Sequence, residues 1–92
     1  MTVRVKAFGQ MKRYLGEHVR KAELPNSARL SDLLRHIEKH WRSQIPDFLW
    51  SEKKHCFRGP VVIMIEKQAV TDLQTNLSDG QEVQLYKVMV GG

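Results

Sequence analysis

The sequence predicts an α+β fold: a mixed sheet of four to five strands with one long helix across one face. Three patterns carry that prediction. Val3, Val5 and Ala7 alternate with Arg4 and Lys6, the period of a strand with one face buried. Leu30, Leu33, Leu34, Ile37 and Trp41 fall at i, i+3, i+4, i+7 and i+11, a single apolar stripe on a helix. Val61 to Glu66 is a continuous β-branched run, the composition of a central, buried strand.

The elements follow in order. Strand one runs from Thr2 to Phe8, and Gly9 ends it. Met11, Tyr14 and Leu15 then stand at helical spacing before Gly16, which predicts a short helical turn. His18 to Leu24 reads as a second strand, antiparallel to the first across a short loop. Pro25-Asn26-Ser27 is a turn. Ser31 is the expected N-cap of the long helix, and Asp32 suits its first turn. Pro46 disfavours continuation, so the helix should end near Ser43. Residues 44–59 mix Phe48, Leu49, Trp50 and Phe57 with charge, a pattern that fixes no element beyond a turn of helix.

Beyond Gly59-Pro60 comes the buried strand, then a Glu66-Lys67 turn into a short edge piece at Gln68-Ala69-Val70. Leu73 and Leu77 should flank a single helical turn. Ser78-Asp79-Gly80 is a strong turn signal before a last strand, Glu82 to Val88, with Val83 and Leu85 inward. Lys87 interrupts the alternation, which predicts that the strand bends or leaves the sheet there. With the first and last strands central and parallel, the sheet grasps its helix in the ubiquitin-like β-grasp arrangement. Residues 1–92 then form one β-grasp domain with a flexible Gly-Gly tail over 89–92.

Bulk composition narrows the function. The chain has 92 residues, 41% of them apolar and 27% charged, close to ordinary globular usage. Fifteen basic residues against ten acidic give +5, but the charges are scattered, so nucleic acid is not expected as a partner. The longest apolar run, Val61 to Ile65, is far short of the about 20 residues a bilayer span needs. No apolar stretch of signal-peptide type opens the sequence. A lone cysteine, Cys56, rules out an internal disulfide, and a cytoplasmic location is expected.

Several stretches resemble one family. "VRVKAFGQMKRYLGE", "LPNSARLSDLLRHIEKHW", "GPVVIMIEKQAV", "LSDGQEVQLYKV" and the terminal "VGG" are similar to sulfur-carrier proteins. These are the molybdopterin-synthase small subunit and the thiamin-biosynthesis sulfur carrier (MoaD/ThiS-type). The resemblance spans nearly the whole chain. It implies that an E1-like enzyme adenylates the Gly92 carboxylate with ATP, and that a sulfur donor then displaces AMP to leave a C-terminal thiocarboxylate. An acceptor enzyme such as a molybdopterin-synthase large subunit would take the sulfur. ATP belongs to the partner, and the carrier itself would need no catalytic residue, bound cofactor or metal.

Elementary chemistry agrees with that use of Gly91 and Gly92. A carboxylate is a poor electrophile until it gains a leaving group. Residues without Cβ fit narrow channels and adopt whatever φ each partner requires. Val88, Met89 and Val90 would supply apolar affinity to offset the cost of ordering the tail. Two departures from the family stand out. Glu66-Lys67-Gln68 replaces the frequent Asn-Gly turn, and Tyr86-Lys87-Val88-Met89 replaces a frequent proline pair. They leave the pathway open among molybdopterin, thiamin, thiolated tRNA and other sulfur routes. They also leave open the alternative of a protein modifier conjugated through Gly92.

Other residues invite sharper readings beside bland ones. His36 and His40 are spaced i, i+4, as a metal edge would be; without an evident third ligand they read as solvent-facing. His55-Cys56 could form a thiol site or an ordinary loop pair. Trp41 and Trp50 read as packing residues.

Overall fold

The computed structural model describes residues 1–88. A five-stranded mixed sheet has the order β2-β1-β7-β5-β6. Its strands are β1 (Thr2–Ala7), β2 (Arg20–Glu23), β5 (Val61–Ile65), β6 (Gln68–Ala69) and β7 (Glu82–Lys87). A separate two-stranded sheet pairs β3 (Trp50–Ser51) with β4 (Cys56–Phe57). The helices are α1 (Lys12–Leu15) and α2 (Leu30–Trp41), with short 3-10 turns at Gly9–Met11, Arg42–Gln44 and Asp47–Leu49.

The first and last strands lie together and parallel, as expected, with Val5 opposite Val83 and Ala7 opposite Leu85. Their inward positions are Val3, Val5, Ala7, Val83 and Leu85, each at most 4% exposed. Above them α2 buries Leu30, Leu33, Leu34 and Ile37, the predicted stripe. Trp41, the stripe's last member, is half-buried, and Arg20 stacks over its ring at 5.1 Å.

The helix start departs from the sequence expectation. Ser31 is not the N-cap; Arg29 is, with φ −112° and ψ 172°. Asp32 reaches back to accept the Arg29 N–H at 2.8 Å, half of a capping box. The next two amides donate to main chain: Leu30 N–H to Thr75 O and Ser31 N–H to Leu73 O. A loop thus does what a side-chain cap would do. That loop is a turn held by Asp72, which accepts from Gln74 N–H and Thr75 Oγ1, and not the helical turn expected between Leu73 and Leu77.

Residues 44–59 fold as two 3-10 turns and the β3–β4 hairpin. Trp50 and Phe57 pack edge to face at 4.9 Å and close the open end of the core. The indole N–H donates to Glu38 on α2 at 2.8 Å. Arg42 gathers the loop, donating to Ile45 O, Asp47 and Glu52.

β5 alternates, with Val61, Ile63 and Ile65 buried and Val62 and Met64 half-exposed. It is therefore covered on one face, where a strand buried on both was expected. β7 keeps its ladder through Lys87, its last residue. The residue pairs with Val61, and its ammonium escapes the core edge by reaching Gln10 Oε1 at 2.9 Å, as a long cationic side chain can.

The β5–β6 turn uses Glu66 at φ +51° and Lys67 at φ +67°. Residues with Cβ are strained in that region by roughly 1–2 kcal/mol each, which is why Asn-Gly is usual in such hairpins. Lys67→Gly is therefore expected to raise the unfolding free energy by roughly 0.5–1 kcal/mol after glycine's own entropy cost. Urea denaturation of the variant tests this; an unchanged or lower midpoint would refute it.

Candidate functional site

The root of the tail lies at the end of β7, beside β5. Val88 follows β7, is 47% exposed, and donates its N–H to Pro60 O at 2.8 Å. This bond extends the β5–β7 ladder by one pair. Of the residues expected to dock a partner or undergo activation, only Val88 is placed. Met89, Val90, Gly91 and Gly92 lie outside the described residues.

Beside that root, the sheet face turned away from α2 carries residues the sequence reading did not single out. Phe8 and Tyr86 stack with ring centroids 4.6 Å apart and planes 11° from parallel. Lys6 Nζ lies 5.1 Å above the Phe8 ring, at cation–π distance. Val62 is opposite Tyr86 and Met64 is opposite Gln84; both apolar side chains are half-exposed. The polar members are tied to one another: Tyr86 Oη donates to Gln84, and Gln84 donates to Glu82. Glu82 also faces Arg4 at 3.7 Å. An aromatic pair with two aliphatic neighbours, rimmed by charge, is the composition of a protein-docking surface. The signal was present in the sequence as apolar residues at outward positions of β5 and β7 and at Phe8, just past β1.

The other candidates resolve separately. His36 and His40 rings are 4.4 Å apart, and His36 meets the Trp41 edge at 5.5 Å. His40 is exposed as expected, but His36 is half-buried. Among the described residues, no group of three or more His, Cys, Asp or Glu could hold a metal ion. His55 Nδ1 lies 2.8 Å from Glu38, pointing to α2 and away from thiol chemistry with Cys56. Trp50 is fully packed, 1% exposed.

Two groups near this helix make stability depend on pH. Burial, then His40 and Lys39, holds His36 below the ordinary imidazole value of 6.5. Hydrogen bonds from Trp50 and His55 hold the Glu38 carboxyl below its ordinary 4.5. Both native pKa values are depressed, so the unfolded chain binds more protons on acidification. The His36 contribution is complete above pH 6.5 and falls away below it. The Glu38 contribution is complete above pH 4.5 and is lost as pH falls through its native value. A plot of urea midpoint against pH should descend in two steps, and His36→Gln should remove only the upper one.

No family model matches the chain, and no curated protein matches it. Solved structures do. SAMP1, a small archaeal modifier protein from Haloferax volcanii, superposes with a TM-score of 0.82 at 14% identity, covering 100% of both chains. The chain has the ubiquitin-like β-grasp fold. Urm1 from Trypanosoma brucei shares this β-grasp with a TM-score of 0.76 at 14% identity, over 99% of this chain and 95% of that one. A chain from the complex of molybdopterin-converting factor subunits 1 and 2 of Helicobacter pylori matches at 0.66 and 23% identity, covering 100% of both. Within the described residues of this β-grasp, no helix is long and apolar enough to cross a membrane.

Proposed function

We propose that the protein is a sulfur carrier, activated at the Gly92 carboxylate by an E1-like adenylating enzyme. The observation that carries this reading is the conjunction of a β-grasp domain with an apolar docking face at the root of a Gly-Gly tail. In the proposed chemistry the carboxylate attacks the α-phosphate of ATP, and pyrophosphate leaves. A donor sulfur at the sulfide level then adds to the acyl carbon. The C–S bond forms as the C–O bond to AMP breaks, and AMP takes the electron pair. The product is a thiocarboxylate, with no net oxidation.

The chain contributes recognition and delivery, as a substrate of its partners and not as a catalyst. The Phe8, Tyr86, Val62 and Met64 face docks the partner, while Val88, Met89 and Val90 guide the tail into its channel. ATP is bound by the adenylating enzyme. Among acceptors, a molybdopterin-synthase large subunit is preferred, because the Helicobacter pylori relative was solved with its subunit 2. This favours molybdenum cofactor biosynthesis over thiamin or tRNA thiolation, in the cytoplasm.

Conjugation to lysine through the same activated carboxylate is the second reading, favoured by the likeness to an archaeal modifier. Intact mass spectrometry of the protein from its own cells separates them. Replacement of one oxygen by sulfur supports the carrier, and isopeptide-linked adducts support the modifier. Absence of any acyl-adenylate with ATP and the cognate activating enzyme would defeat both.

A further inference from the structure

A second surface lies at the opposite edge of the domain from β2. β6 is only two residues long and pairs with Met64 and Ile65 alone. The edge of β5 is therefore open from Val61 to the N–H of Ile63. Its hydrogen-bonding parity is fixed: Ile63 C=O accepts Val70 N–H at 2.8 Å, and Val61 N–H turns back to Arg58 O. Ile63 N–H and Val61 C=O point to the same side, and neither meets a backbone partner among the described residues. No proline or charged residue guards this stretch, as open edges usually require.

Along that edge runs a groove of about 410 Å³ whose apolar walls include Leu34, Phe57, Val61, Ile63, Val70 and Leu73. It is continuous through Cys56–Gly59 with a second hollow of about 330 Å³ that Lys54 and Arg58 line. Among the described residues, these two are the only charged side chains lining either hollow, and no carboxylate lines them. Arg58 Nε donates to Trp50 O, and Lys54 makes no ion pair among the described residues. The lining thus has an apolar part, an unused main-chain donor and acceptor, and a cationic end.

We propose that this groove binds a short extended segment of a partner protein, carrying alternate apolar residues followed by a carboxylate. The segment adds as a strand to β5, exchanging main-chain hydrogen bonds with Val61 C=O and Ile63 N–H. Its apolar side chains cover Phe57 and Val70, and its carboxylate meets Lys54 and Arg58. The segment bonds the β5 edge away from β7; the groove shares Val62 with the outer face, but Phe8, Tyr86 and Val88 do not line it, so the protein can hold one partner here while another engages Gly92.

Cys56 lines the groove and is half-buried, which makes its alkylation a built-in readout. The probes are the acetylated, amidated peptides Val-Thr-Val-Glu-Asp and Val-Thr-Val-Lys-Lys, mixed with the full-length protein. The acidic peptide is expected to slow iodoacetamide modification of Cys56 and hydrogen exchange at Ile63 N–H. Lys54 and Arg58 are exposed, so the lysine peptide should bind about fivefold more weakly, the upper worth of an exposed ion pair. Lys54→Glu, at an exposed turn, should reverse that preference. Deleting Gly91 and Gly92 should change none of these results, so failure here and failure of the carrier reading are distinguishable. Equal binding of the two peptides, an unprotected Ile63 amide, or protection by raised protein concentration alone would overturn the proposal.

Discussion

Leu85→Ala lowers the unfolding free energy by about 3–5 kcal/mol, the upper part of the range for large-to-small core changes. Leu85 is 0% exposed on the central strand, opposite Ala7 on one side and Ile63 on the other. The backbone there is held from both sides, because its carbonyl also accepts Phe8 N–H at 2.9 Å. A strand fixed in two ladders cannot slide inward to fill the void, so the cavity cost is felt in full. Domains of this size have only about 5–15 kcal/mol in total, so the variant should be near the edge of folding. Its melting temperature should drop by roughly 12–40 °C at 4–8 °C per kcal/mol. Phe48→Ala is the matched control. Phe48 is larger but 61% exposed, and its loss should stay within about 0.5 kcal/mol. Urea melts of both variants decide this, and a Leu85→Ala loss below that of Phe48→Ala would contradict the packing described here.

The sheet's core was legible because each inward residue obeys a local period. Val3, Val5 and Ala7 alternate with charge, Val83 and Leu85 repeat the pattern, and the α2 stripe has the spacing of one helical face. The parts that were not legible depend on partners distant in sequence. Ser31 looks like a cap, yet the first amides of α2 find carbonyls of Leu73 and Thr75, more than 40 residues away. Propensity carries no trace of that arrangement. The β3–β4 hairpin was hidden for a related reason. Its strands are two residues each, too short for alternation to register, and its order comes from Trp50 reaching Glu38 and Arg42 drawing in Asp47 and Glu52. Lys87 misled because a charge at an inward position suggested a bend. The residue stays paired with Val61, and Gln10 takes its ammonium.

The same division holds at the candidate site. Gly91 and Gly92 are readable as chemistry, since a carboxylate on a residue without Cβ suits activation. The docking face needs the register between β1, β7 and β5, which puts Phe8 on Tyr86 and Tyr86 opposite Val62. Residues 8, 62 and 86 are far apart in the chain, and only strand order joins them.

If recognition and chemistry are divided this way, two variants should fail in opposite ways. Deleting Gly91 and Gly92 abolishes acyl-adenylate formation, because the activated group and its channel-fitting neighbour are both gone. The deletion leaves the Phe8–Tyr86 face intact, so the truncated protein should still compete with the full chain for the activating enzyme. Phe8→Glu does the reverse. It places a carboxylate against Tyr86 and beside Lys6 while keeping the tail, so adenylation persists but KM rises by roughly 30-fold, the worth of one aromatic hot spot near 2 kcal/mol. Phe8 is half-buried on the outer face, so the substitution should cost the fold only about 0.5–1.5 kcal/mol of stacking. Steady-state adenylation assays, with the truncated chain as competitor, read both results. Should Phe8→Glu leave KM unchanged, the sheet face is not the docking surface. Should the truncated chain fail to compete, affinity resides in the tail, and Met89 and Val90 would be the next residues to change.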